Sequence, residues 1–387
     1  MREHFLLDPD VVFLNHGSFG ACPAEVLEAQ HAWQREMERN PVEFLGRRSG
    51  ALLRDARELL AAFVGARADD LVFMSNATSA VNTVARSLAL EPGDEVLTTD
   101  HEYGACDAAW EHACRARGAR YVRARIPLPF VASEAAGRLL AAATPRTRAI
   151  YLSHITSTTG LILPAGEVCR RARELGILTV VDGAHAPGHI PLDLDALGSD
   201  FYAGNCHKWM CAPKGAGFLH ARPEHHAELE ALVVSWGYCA EVEGHSGFDA
   251  YTGSTVLERR HQWQGTRDVS AFLAVPAAIE FQRRHGWEEV RRRCHALAAE
   301  TRDRVGALTG LGSICADGDF GQMAAIALPP CDPEALRAAL FERFRIEVPV
   351  TSHGGRQFVR VAFQAYNTRA DADALLAAFA ALLPRRG

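Results

Sequence analysis

Residues 177–221, ILTVVDGAHAPGHIPLDLDALGSDFYAGNCHKWMCAPKGAGFLHA, decide how the rest of the chain reads. Three short apolar runs stand out: ILTVVD (177–182), DFYAG (200–204) and GAGFLHA (215–221). Glycine and proline clusters bound them, which is the signature of buried strands. Working back along the chain, RAIYLS (148–153), EVLTT (95–99) and LVFM (71–74) repeat the pattern. Between the runs lie stretches of helical period: SAVNTVARSL (79–88), GACDAAWEHACRARG (104–118) and AGEVCRRARELG (165–176). Apolar strands alternating with helices predict an α/β domain with a mostly parallel sheet covered on both faces. Ligands of such sheets bind beyond the carboxyl ends of the strands.

After GTRD (265–268) the order changes. Two helical stretches are followed by QMAAIAL (322–328), a helix near 333–345, IEVPV (346–350), QFVRVAF (357–363) and a terminal helix. That order predicts a smaller α+β domain. Helical segments near 23–39 and 50–64 are expected to pack over the sheet. The expected organisation is an N-terminal segment (1–20), a large domain (21–264) and a small C-terminal domain (265–387).

With 387 residues, 48% hydrophobic and 23% charged, the composition is that of a globular chain. A net charge of −6 gives no electrostatic case for nucleic acid. No apolar run reaches the roughly 18 residues that suggest a membrane span. MREHFLLDPDVVFLN (1–15) carries acids within its apolar stretch and lacks the pattern of a secretory signal. The ten cysteines include no C-x-x-C pair and read as reduced thiols. A cytoplasmic enzyme is expected.

Of 41 basic residues only Lys208 and Lys214 are lysine; the remaining 39 are arginine. Where arginine replaces lysine so freely, a surviving lysine points to a position that guanidinium cannot fill. One such position is an amine that must lose its proton and attack a carbonyl. Lys208 stands just past a strand end in AGNCHKW (203–209), and Asp182 ends the strand before VDGAHAPG (181–188) completes its turn. Asp182 alone also fits an ordinary turn aspartate. Together the pair suits pyridoxal phosphate, which needs an amine for a Schiff base and a carboxylate at its pyridine nitrogen. In SNATSAVNTVARSL (75–88), Thr78 and Ser79 open a helix, where free N–H groups and the helix dipole favour an anion. A plain N-cap fits the same residues. Asn205 and His207 flank the lysine and are candidate donors to a phosphate. Tyr103, in TDHEYGA (99–105), stands where it can stack on a ring. Reading Asp182, His185, His189 and His207 as metal ligands matches no compact zinc spacing and leaves Lys208 without a role, so no metal is expected.

NATSAVN, TDHEYGA, SHITSTTG, VDGAHAPG, AGNCHKW, SWGY, QGTRD and VRVAFQAYN, taken in order from FLNHGSFG (13–20), resemble the class V aminotransferase family on the fold-type I scaffold of pyridoxal-phosphate enzymes. Within it they are most similar to the isopenicillin N epimerase-like branch. The resemblance implies Lys208 as the Schiff-base lysine, Asp182 at the pyridine nitrogen, His185 at the ring hydroxyl and Tyr103 stacked on the ring. It implies Ala77, Thr78, Asn205 and His207 at the phosphate, with Thr266 supplied by the second subunit of a homodimer. Arg360 matches the arginine that clamps a substrate carboxylate. Asn15 and His16 match an N-terminal stretch that lines the pocket.

Two departures fall near the substrate. Thr158 stands where the branch usually shows proline, and Ala362 and Phe363 stand where serine and a small residue are common. The chemistry expected is removal of a Cα proton by Lys208 from an amino acid or amino-acid conjugate in specialised metabolism. Epimerisation follows if a second group returns the proton on the other face; His101, Tyr103 and His154 are the candidates. The alternative is a C–S β-lyase acting on a cysteine S-conjugate, with an aminotransferase or decarboxylating deaminase behind it. VPVTSHGGRQFVR (348–360) contains no cysteine, which argues against a desulfurase.

Overall fold

The runs around Asp182 and Lys208 become neighbouring strands because all their residues but Leu178 are buried, with cover on both faces. The computed structural model describes residues 1–238 and 252–383, so Cys239 lies outside the described residues. In chain order the strands are β1 (Val12–Phe13), β2 (Leu71–Met74), β3 (Glu95–Thr99), β4 (Arg120–Ala124), β5 (Thr147–Ser153), β6 (Leu178–Gly183), β7 (Phe201–Asn205), β8 (Gly217–Ala221), β9 (Met323–Leu328), β10 (Ile346–Glu347), β11 (Val350–His353) and β12 (Arg356–Ala362). Seven of them form the central sheet in the order β2-β8-β7-β6-β5-β3-β4. From β7 through β4 the pairings are parallel, whereas β8 runs antiparallel to both β7 and β2. The connection 206–216 carries no helix. A parallel return needs a crossover of a dozen residues or more, so β8 folds straight back.

Strand β5 shows why the sheet needs two layers. Ala149 and Tyr151 belong to a core with Val81 and Val84 of the helix Ala77–Ser87 and Trp110 of the helix Gly104–Ala116. Ile150 and Leu152 face the other way, into a core with Leu53, Val168 and Phe281. Gly183 and Gly204 are opposite each other in the β6–β7 ladder. A Cβ on Gly204 would stand 2.3 Å from the Phe218 ring, and one on Gly183 would stand 2.1 Å from Tyr202. Only glycine lets these aromatic rings lie flat against the sheet.

Two expectations change. The helix Ala24–Arg39 packs on Ser270–Leu273 and Val275–Arg284, with the Trp33 indole donating to the Leu273 carbonyl at 3.1 Å. It therefore covers C-terminal helices, while Ser49–Val64 does reach β2. IEVPV is two strands: β10 pairs in parallel with β1, and β11 pairs antiparallel with β12. Pro349 separates them because it has no N–H to continue a ladder. Its carbonyl instead accepts from the Arg360 N–H at 3.0 Å. The sheet β11-β12-β9 completes the C-terminal part, with the helix Trp287–Thr309 against β9. Among the described residues, no helix is long and apolar enough to cross a membrane.

Candidate active site

The carboxyl ends of β3, β5, β6 and β7 open onto one pocket. Tyr103, Ser153, Asp182, Ala184, His185, Asn205, His207 and Lys208 border it, as do Ala77 and Thr78 from the helix that follows β2. Ser18 and Phe19 close it from the N-terminal segment and Ser157 from the loop after β5. The strand order thus brings residues more than a hundred positions apart onto one rim.

Asp182 is buried and its oxygens are fully directed. Oδ1 accepts the Ala184 N–H at 2.9 Å; Oδ2 accepts the Tyr151 hydroxyl at 3.1 Å and the Cys106 thiol at 3.6 Å. Lys208 Nζ lies 3.1 Å from His185 Nε2. Burial first, and then the Arg360 guanidinium, lower the Lys208 amine to about 8. The Trp209 indole N–H lies 3.2 Å from His185 Nδ1. Indole only donates, so Nδ1 accepts and the single proton of a neutral ring sits on Nε2, facing the lysine. Burial keeps His185 well below the usual imidazole range, so that ring is neutral.

The phosphate candidates surround the start of the helix Ala77–Ser87. Its N-cap Asn76 accepts the Ser79 N–H at 2.8 Å, and Asn205 Oδ1 accepts the Ala77 N–H at 2.8 Å. Those two bonds leave the Thr78 N–H at the pocket as the remaining donor of the first turn. His207 Nδ1 is 2.9 Å from the Ala216 carbonyl, which only accepts. The proton of the neutral ring is therefore on Nδ1, and burial lowers this imidazole to about 4. Such a ring donates to an anion through Nε2 only after taking a second proton.

Arg360 lies deeper and is 5% exposed. Its guanidinium donates to the Ser157 carbonyl, to Ser18 Oγ at 3.0 Å and to Asn15 Oδ1 at 3.5 Å. Nε has no partner, and no carboxylate among the described residues forms an ion pair with this side chain. Burial pulls the guanidinium down to about 10, opposed by the field of the Tyr103 hydroxyl. A buried guanidinium without an acid is a site prepared for an external carboxylate.

The remaining candidates have other positions. His16 is fully buried beneath the lysine, its Nε2 donating to the Lys208 carbonyl at 3.0 Å and its Nδ1 3.0 Å from the Tyr366 hydroxyl. Asn15 touches Arg360 and donates to Glu347 at 3.3 Å. His154 is buried, with Nδ1 at 3.0 Å from the Tyr202 hydroxyl, and does not border the pocket. Thr266 is exposed and away from the rim. Tyr151, Cys106 and Trp209 escaped the sequence reading. The available signal was a tyrosine two positions before the end of an otherwise apolar strand, RAIYLS, and a tryptophan directly after the lysine.

The site accommodates pyridoxal phosphate. It offers an amine, a directed buried carboxylate, a helix start with an unused N–H, and an exposed aromatic at the mouth. The class V aminotransferase family model matches residues 12–375, and the chain belongs to that family, whose members use pyridoxal phosphate. Within it, the chain is 42% identical over 381 residues to isopenicillin N epimerase of Amycolatopsis lactamdurans, covering 97% of this chain and 96% of that one. It is 30% identical to the probable chloroplastic L-cysteine desulfhydrase of Arabidopsis thaliana, over 94% of this chain and 81% of that one. Among solved structures, a variant of C-DES with glycine covalently linked to its PLP cofactor matches with a TM-score of 0.83 at 22% identity, covering 97% and 98% of the two chains. That likeness shows the fold.

Proposed function

We propose that this chain is a pyridoxal-phosphate-dependent epimerase that removes and returns the Cα proton of an amino acid or amino-acid conjugate. The observation that carries the reading is a buried lysine amine 3.1 Å from His185 Nε2, with an acid-free buried arginine bonded to Ser18 and Ser157 on the same rim. The near-full-length similarity to isopenicillin N epimerase supports epimerisation and a role in antibiotic-type specialised metabolism, which we place in the cytoplasm.

When bound, pyridoxal phosphate supplies an electron sink that makes Cα–H acidic. Asp182 holds the proton on the pyridine nitrogen, its carboxylate aimed by Tyr151, Cys106 and the Ala184 N–H. His185 presents Nε2–H to the ring hydroxyl, with Trp209 fixing that tautomer. The Thr78 N–H, Asn205 and, once its ring has taken a second proton, His207 would receive the phosphate, and Tyr103 would cover the ring. Arg360 takes the substrate carboxylate as a bidentate fork. The Lys208 amine, poised near neutrality, takes the Cα proton.

A homodimer completes this reading. Thr266 is exposed and unused by its own pocket, which suits donation to a neighbour. Val233, Val234, Trp236 and Tyr238 expose an apolar surface that a second copy would cover.

The test is NMR in deuterated water, offering the holoenzyme isopenicillin N, L-amino acids, peptides with a free α-amino acid end and cysteine S-conjugates. Deuterium at Cα with inversion and no keto acid is the expected result. Pyruvate, ammonia and a free thiol would replace the reading with a C–S β-lyase, the activity named for the desulfhydrase relatives. A keto acid that keeps the substrate's carbon skeleton would make it an aminotransferase.

A further inference from the structure

Epimerisation needs a second proton carrier facing Lys208, and the pocket holds few groups free to serve. His101 has both ring nitrogens committed, to the Ile126 carbonyl at 2.8 Å and to Thr159 Oγ1 at 2.9 Å. His154 is tied to Tyr202 and stands off the pocket. Of the serines on the rim, Ser153 donates to Glu102 at 2.6 Å and Ser18 donates to Asn15 at 2.6 Å. Ser157 lies against Arg360, and an aliphatic hydroxyl is far too weak an acid for the task.

Tyr103 differs on each count. Its side chain borders the pocket and its hydroxyl has no hydrogen-bond partner among the described residues. The residue is 45% exposed, so water can restore its proton. It follows β3, whereas Lys208 follows β7, and β5 and β6 lie between them. With strands about 4.8 Å apart, three strand spacings separate the two chain positions, so the two side chains reach the shared pocket from different strands on either side of β5 and β6.

We propose that Tyr103 is the second proton carrier of the epimerisation, giving Cα a proton on the face opposite the one Lys208 has deprotonated. The inference rests on the epimerase reading. In one direction the Lys208 amine takes Cα–H as a proton and becomes ammonium, while the phenol O–H bond breaks and a new Cα–H bond forms. Phenolate and ammonium then exchange protons with solvent, so atoms and charge balance without oxidant or reductant. In the reverse direction the roles swap.

Tyr103→Phe keeps the aromatic cover and removes only the proton. The holoenzyme variant, offered isopenicillin N and its epimer separately in deuterated water, is expected to exchange Cα–H of one isomer with retention. It should leave the other isomer untouched and lose at least about a hundredfold in inversion, the scale of a missing general acid. Cofactor absorbance after gel filtration and the melting temperature should match the unaltered enzyme, whereas Tyr103→Ala should shed cofactor. Inversion at the original rate would overturn the proposal. So would equal loss of exchange from both isomers with cofactor retained, because that marks Tyr103 as a positioning residue. If the unaltered enzyme inverts neither isomer and instead releases pyruvate and thiol from a cysteine conjugate, the epimerase reading fails and takes this one with it.

Discussion

The Lys208 amine sits at about 8 because it is crowded and because Arg360 shares its surroundings. Below that pH it is ammonium and cannot attack a carbonyl. Uptake of pyridoxal phosphate by the apoenzyme, followed by absorbance, should therefore quicken as pH rises through about 8. Arg360→Gln removes a neighbouring positive charge that disfavours the ammonium, so the midpoint should move upward. A downward move would contradict the assignment. Tyr151→Phe tests the support of Asp182: a hydrogen bond to a buried charge contributes about 1.5–3 kcal/mol. Cofactor retention measured by dialysis should fall at least about tenfold, with little change in substrate KM. At this scale the sequence was informative where chemistry is unusual, since a scarce lysine and a strand-end aspartate announce themselves. It was silent about Tyr151 and Trp209, because a tyrosine or tryptophan in an apolar run looks the same whether or not its polar atom serves the site. It also placed His16 along the pocket wall, whereas the ring supports the lysine from below.

Strands and helices carry the next set of consequences. Glu102 ends the turn after β3 and is buried against Ser153 at the end of β5, and burial pushes its carboxyl up to about 8 despite three donors. An acid whose folded pKa is raised binds its proton more tightly when folded. The stabilisation is fully present below its ordinary value near 4.5 and is lost as pH rises through about 8. Glu102→Gln, which stays neutral, should therefore melt near the unaltered protein at or below about pH 4.5, and increasingly above it as pH rises from there to about 8. The glycine pair between β6 and β7 gives the opposite kind of test. Gly204→Ala forces a methyl into the Phe218 ring and should cost about 1–3 kcal/mol in denaturant unfolding. Most of the sheet was legible from its apolar runs. Strand β4 was not, because RYVRA lies at the sheet edge with mixed exposure and no apolar run to betray it. The split at Pro349 was equally hidden: a proline in IEVPV shows that pairing stops but not which partner each half will find.

At the scale of the whole molecule, the pocket draws on every part of the chain. The ends of the central strands supply the candidate cofactor residues, the segment before residue 20 supplies Ser18 and Phe19, and Arg360 of β12 stands behind the rim, bonded to Ser18 and Ser157. The proposed homodimer, with Thr266 donated across it, predicts that Thr266→Ala should weaken phosphate binding at the partner's site while the oligomer stays intact on gel filtration. A monomer that retains cofactor at full strength would remove Thr266 from the scheme. The interlocking of the two ends has a further result, one of timing. Among the described residues strand β1 pairs with β10 alone, and His16 meets the Lys208 carbonyl while bonded to Tyr366. A ribosome adds roughly 5–20 residues each second, so β1 waits some twenty seconds to a minute for its partner to be made. Through that interval the sheet holding Asp182 and Lys208 can form, but the floor beneath the lysine and the arginine beside it do not yet exist. The growing chain is thus committed to its fold well before it is competent to act, and its first residues are among the last to be put in place.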